Sequence, residues 1–183
     1  MDLLFKNPPY FFKTYFNFSP LSFAISFIVI FVIVFLICRK RFSSLRTRLL
    51  FAIPASLYGA LLICITLNVN RSDTQGLILN PIENVQALFT DMRVHQLRGM
   101  QSNIVFFIPC GVFSAIYFKR KKLLFSFLFG AALSVSIEAL QFVFRRGYTE
   151  TMDVICNTLG ATIGAAITII ILFIINQLQK RGS

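Results

Sequence analysis

Long apolar runs alternate with short polar breaks along this chain of 183 residues. A hydrocarbon core about 30 Å thick takes about 20 helical residues to cross, at about 1.5 Å each. Five runs reach or approach that length: Leu21 to Cys38, Leu49 to Leu67, Asn103 to Phe118, Leu123 to Phe144 and Val154 to Ile175. The first is uninterrupted, and no small-residue cleavage site follows it, so it is expected to remain as a span. Pro54 and Pro109 lie inside the second and third, where a missing backbone donor predicts a kink. In the stretch between those two spans, Asn80-Pro81-Ile82-Glu83 carries an N-cap, a proline at the first helical position and a glutamate in the first turn. Ile82, Val85, Phe89 and Met92 follow at helical spacing. They predict a short amphipathic helix at the membrane surface, either a cover over the bundle or a gate.

The expected fold is therefore all-α: a polytopic integral membrane helical bundle of five spans plus one short interfacial helix. It is read as a single domain over residues 1–183, opened by an aromatic interfacial segment over residues 1–20 (FKNPPYFFKTYFNFSP after the first few residues). Composition agrees. The hydrophobic fraction is 56% and the charged fraction 14%, against roughly 25% charge in soluble domains. A water-soluble enzyme, a disordered tail and a secreted disulfide scaffold are excluded. Cys38, Cys64, Cys110 and Cys156 all fall within spans and show no zinc or CxxC spacing, which suits small buried hydrophobes and leaves a disulfide open.

The net charge of +11 has a topological explanation, so nucleic acid is not an expected partner. Five spans put Arg39, Lys40, Arg41, Arg46, Arg48, Lys119, Arg120, Lys121, Lys122, Lys180 and Arg181 on one side, with no acidic residue. The other side receives Lys6, Lys13, Arg71, Arg93, Arg98, Arg145 and Arg146 together with all 7 acidic residues. Basic loops stay cytoplasmic, which places the amino terminus outside and the carboxyl terminus inside.

Polar side chains inside spans are costly, about 2.5–3.5 kcal/mol for a central Asp, Lys or Arg, so their positions carry information. In the fourth span Gly130, Ser134, Glu138, Gln141 and Arg145 recur every three or four residues, on one helical face. Asp153, Asn157, Gly160, Gly164 and Thr168 do the same in the fifth. The two helices run antiparallel, so both polar ends gather near the outer surface, while Gly130, Ser134, Gly160 and Gly164 suit close helix packing. The stripe is open to two readings. It is either a clasp in which Arg145 neutralises Glu138 or Asp153, or a ligand-facing pocket. The pocket is preferred, because an uncharged surface would join the helices at lower desolvation cost. Arg98 and Asn103 enter the third span from the same outer face, with donors suited to an anionic headgroup or phosphate, or to anchoring ordinary phospholipid.

The candidate ligand-binding residues are thus Arg98, Asn103, Glu138, Gln141, Arg145, Asp153 and Asn157. An enzyme working on a phosphate-bearing lipid would use Glu138 with Asp153 as acid and base. No nucleophile elbow, phosphate loop or ligand cluster for a metal accompanies them; His95 stands alone, and no cofactor is expected. The preferred expectation is a binding or accessory protein, with a proton-coupled transporter third, since no inverted repeat is evident. The oligomeric state is left open.

Three elements in order resemble the VanZ-like family, named for a bacterial teicoplanin-resistance protein. NIVFFIPCG resembles its Asn-x-x-x-Phe-x-Pro-x-Gly element through Asn103, Phe107, Pro109 and Gly111. SIEALQ is similar to its Ser-x-x-Glu-x-x-Gln element through Ser136, Glu138 and Gln141. DVICNTLGATIG resembles its Asp-x-x-x-Asn-Thr-x-Gly signature through Asp153, Asn157, Thr158, Gly160 and Gly164. The likeness begins near Leu79, is clearest from Asn103 to Gly164, and leaves the first span uncovered. Before the signature, RRGYTETMD has Glu150 as the acidic counterpart and Met152 where a second acid often stands. The resemblance implies a bacterial plasma-membrane envelope protein linked to reduced glycopeptide susceptibility. Its partners would be a membrane lipid, a lipid-linked cell-wall precursor or the glycopeptide antibiotic itself.

Overall fold

A computed structural model describes residues 18–67, 76–90, 93–145 and 148–181. In chain order the elements are α1 (Pro20–Cys38), α2 (Leu45–Leu67), β1 (Gly76–Ile78), α3 (Pro81–Ala87), α4 (Arg93–Tyr117), α5 (Lys122–Phe144), β2 (Tyr148–Glu150) and α6 (Thr151–Arg181). All the helices except α3 are long and apolar enough to cross a membrane. The expected all-α bundle of five spans is what the chain forms, with one addition: β1 and β2 pair in a two-stranded sheet. The aromatic segment up to Asn17, together with Arg71, Met92 and Arg146, lies outside the described residues.

The chain divides into two compact units, one of Met1–Leu77 with Ala139–Thr149, the other of Ile78–Glu138 with Glu150–Ser183. In the first, Ser19 caps α1 by accepting the Leu21 N–H at 3.3 Å, and Pro20 supplies a first helical residue that has no N–H to satisfy. Apolar side chains surround α1 on every side, and Cys38 is its buried residue. Helix α2 packs along α1 through small residues: Ala52 and Ala60 are fully buried, and Gly59 lies on Ile30. Arg48 closes the intervening turn, its Nε and Nη2 each donating at 2.8 Å to the carbonyls of Phe42 and Ser43. Helices α2 and α4 run unbroken through Pro54 and Pro109.

In the second unit, α6 is wedged between two neighbours. Toward α4 the backbones touch. A methyl group added at Gly160 would meet the carbonyl oxygen of Ile104, at Gly164 that of Ile108, and at Gly111 that of Ala161. The two helices therefore rise together, in parallel. Toward α5 the register is antiparallel: Gly130 faces Ala161, where an added Cβ would come within 2.5 Å of the Ala161 Cβ, and Ser134 faces Asn157. Gly160 and Gly164 pack against α4 rather than between α5 and α6. Residue spacing identifies a small-residue face; it does not say which neighbour lands on it. Near the start of α5, buried Ser114 and Ser126 join α4 to α5 by a hydroxyl hydrogen bond of 2.7 Å.

Candidate functional site

The site forms where α3, α4, α5 and the start of α6 meet in the second unit. Asn80 caps α3, its Oδ1 accepting the Ile82 N–H at 3.1 Å. The helix that follows exposes Ile82 and Val85 and buries Asn84 to 4%. Its apolar face is turned outward and its amide inward. The amide Nδ2 of Asn84 donates to Glu150 Oε2. Glu150, at the end of β2, in turn donates its backbone N–H to Glu138 Oε2 at 3.1 Å. Glu138 is 5% exposed.

Helix α6 starts at Thr151, so Asp153 falls in its first turn, where the unsatisfied backbone N–H groups and the helix dipole favour a carboxylate. The Asn103 side chain reaches across from α4 and hydrogen-bonds it. Glu138, Glu150 and Asp153 are close enough to repel one another. Three carboxylates in a low-dielectric setting stand together only where donors surround them, and the donors here are amides from Asn84, Asn103 and the backbone. One turn further along α6, Asn157 is 4% exposed and donates its Nδ2 to Ser134 Oγ at 2.8 Å. Among the described residues, no three His, Cys, Asp or Glu are arranged to hold a metal ion. The four cysteines are buried and free.

Some buried polar atoms of this unit lack a hydrogen-bond partner: Asn84 Oδ1, Asn157 Oδ1 and Arg98 Nε. Such an atom typically costs about 1–3 kcal/mol, so two acceptors and one donor left unmet in one unit ask for an explanation.

Of the expected site residues, the structure brings Asn103, Glu138, Asp153 and Asn157 into this polar seam and puts Arg98 in the same unit. Gln141 and Arg145 belong to the other unit. There Gln141 donates its Nε2 to the Thr66 carbonyl at 3.0 Å. Arg145 is exposed and ends α5 in a left-handed backbone conformation, φ 54°. Sequence reasoning missed Asn84, whose position on the face opposite Ile82 and Val85 was the available signal. It treated Glu150 only as an acidic residue ahead of the signature.

A VanZ/LLP1 family model matches residues 23–173. Protein VanZ of Enterococcus faecium is 40% identical over 67 residues, which is 37% of this chain and 42% of that relative's length. The chain thus spans less than half of the curated relative it matches. No solved structure matches. The family match starts within α1 and takes in the spans that the three sequence elements had left uncovered. This chain is a multi-pass membrane protein and belongs to the VanZ/LLP1 family.

Proposed function

We propose that the protein is a non-enzymatic binding or accessory protein of the bacterial cell envelope. Its second unit would hold a polar headgroup at a pocket open to the cell exterior. The ligand would be a membrane lipid, a lipid-linked cell-wall precursor or a glycopeptide. One observation carries this reading: the unmet buried atoms of the second unit are of two complementary kinds. Arg98 Nε offers a donor to an anionic group, while Asn84 Oδ1, Asn157 Oδ1 and the carboxylates offer acceptors to an ammonium, hydroxyl or amide of the same ligand. A purely structural clasp would not leave Arg98 Nε, Asn84 Oδ1 and Asn157 Oδ1 unmet. Lowered susceptibility to teicoplanin, which the family resemblance implies, would follow if the bound species kept the antibiotic from its surface target.

Purified protein in nanodiscs should retain a radiolabelled lipid-linked wall precursor or teicoplanin without turning it over. Glu138→Ala and Asn157→Ala variants that still insert and fold should lose that retention; equal retention would sink the proposal. A specific observation keeps a second reading in play. Glu138 and Asp153 are near enough to interact electrostatically, and product that depends on Glu138 would promote an enzyme acting on a phosphate-bearing lipid.

The orientation has its own test. The native thiols are buried, so a membrane-impermeant maleimide on intact cells should label Glu83→Cys, an exposed position of α3, and spare Arg120→Cys. The opposite pattern would invert the topology and put the pocket in the cytoplasm.

A further inference from the structure

At the opposite end of the α5–α6 pairing from the carboxylates lies a second feature, which the proposed function does not use. An open groove of about 690 Å³ is lined by Lys121, Lys122, Leu123, Leu124, Phe127, Thr162 and Ile169. Its volume falls in the range typical of small-molecule sites, about 300–1,000 Å³. The walls are almost wholly apolar, so the two lysines contribute their methylene stems, which leaves the ammonium groups at the rim. Thr162 adds no free polar group, because its hydroxyl is committed to the Thr158 carbonyl at 2.8 Å. The rim is strongly positive: Lys119, Arg120, Lys121 and Lys122 are consecutive, and Lys121 sits in a left-handed conformation, φ 46°, at the turn into α5.

We propose that this groove binds an anionic phospholipid, with one acyl chain lying along Leu123, Leu124, Phe127 and Ile169 and the phosphate held by Lys121 and Lys122. A positively charged loop is by itself explained by topology, which needs charge and no groove. What topology does not explain is an apolar trough that adjoins those charges and is lined by the stems of Lys121 and Lys122. Basic pockets between spans are where acidic lipid headgroups bind, each lysine near the surface strengthening the attraction about fivefold. The occupant is a lipid on the ground of charge complementarity: a second copy of this chain would bring its own cationic loop to the same place.

The chain contains no Trp, which permits a clean measurement. Phe127→Trp would put a lone reporter in the groove, and Phe129→Trp a control at an equally exposed position of the same helix that does not line it. In bilayers with brominated acyl chains, phosphatidylglycerol should quench the Phe127→Trp fluorescence with an apparent affinity about twentyfold above that of phosphatidylcholine. Phe129→Trp should show little preference. Adding Lys121→Gln and Lys122→Gln should bring the preference at position 127 down to the control's. Three results would overturn the proposal: equal quenching by both lipids at position 127, the same preference at position 129, or a preference that survives loss of both lysines. Shielding of the Phe127→Trp fluorescence from both lipids would assign the groove to another protein surface instead.

Discussion

The two units solve the same problem, holding apolar helices together where lipid is as apolar as the side chains, by different means. In the first, α1 and α2 meet through Ala52, Gly59 and Ala60, and the buried surface between them is mostly featureless. In the second, α4 and α6 touch backbone to backbone along one side of α6, while its other side and its start carry Asn157, Asp153 and the amides and carboxylates that meet them. Association in a bilayer rests on close packing and interhelical hydrogen bonds rather than on hydrophobic force. Between α1 and α2 the described contacts are those of packing. The second unit packs more tightly still and then adds polar atoms that packing does not require, some of them unpaired. That surplus is where a function is to be sought.

Glycine substitutions give the largest expected effects and separate the two modes. At Gly111, Gly160 and Gly164 an added methyl runs into a backbone carbonyl, which cannot rotate away. Each Gly→Ala change there should destabilise by about 3 kcal/mol or more, the upper end of overpacking costs. Gly130→Ala meets the Ala161 Cβ at 2.5 Å, a side-chain atom fixed to its backbone, and should cost about 1–3 kcal/mol. Gly59→Ala, in the first unit, meets the Ile30 side chain at Cγ2 (3.2 Å) and Cδ1 (3.4 Å), which must give by a few tenths of an ångström, and should cost about 1 kcal/mol, the lower end of overpacking costs. Gly99→Ala has nothing within 4 Å and should stabilise by about 0.5–1 kcal/mol through helix propensity. Thermal unfolding in detergent, followed by circular dichroism, ranks the series. Equal behaviour at Gly164 and Gly99 would remove the backbone contact between α4 and α6.

The next effect lies within the polar seam. Asn103→Ala takes a donor from Asp153, and hydrogen bonds to charged groups contribute about 1.5–3 kcal/mol, so stability should fall by that much. Asn157→Ala removes one interhelical bond, worth about 0.6 kcal/mol on average in a membrane, and also removes an unpaired oxygen. Its stability should hardly move while ligand retention disappears. A clasp predicts the reverse, a marked loss of stability with retention intact, so the ratio of the two readouts decides between them.

How far the sequence could be read follows from the range of the interactions. The spans were legible because the bilayer imposes a length, and the start of α3 because a cap is settled within three residues of sequence. The polar stretch from Arg93 to Ser102 concealed that α4 begins well before Asn103: hydropathy falls there, yet the backbone goes on making helical hydrogen bonds. Strands of three residues are too short to show alternation, which is why β1 and β2 went unseen. Spacing did bring Glu138 and Asn157 onto buried faces, since helical period is local. It could not supply Asn84 as a partner for Glu150, 66 residues on, or Thr66 as the partner of Gln141 at a separation of 75. Gly111, read from the sequence only as part of a family element, is where α6 lands on α4.

The smallest effect offers the sharpest contrast between the units. Ser56 in α2 is fully buried, and its hydroxyl has no partner, so the first unit also contains an unmet polar atom. If such an atom is only a tolerated packing defect, Ser56→Ala, which loses little volume, should stabilise by at most about 1 kcal/mol and leave ligand retention unchanged. Placed beside Asn157→Ala, this gives two deletions of buried unpaired oxygens, one in each unit, both nearly silent in unfolding. They should part only in retention, which survives the first and is lost in the second. Were both to keep it, the open oxygen of Asn157 would be a defect of the same kind as Ser56, and the polar seam would be a clasp after all.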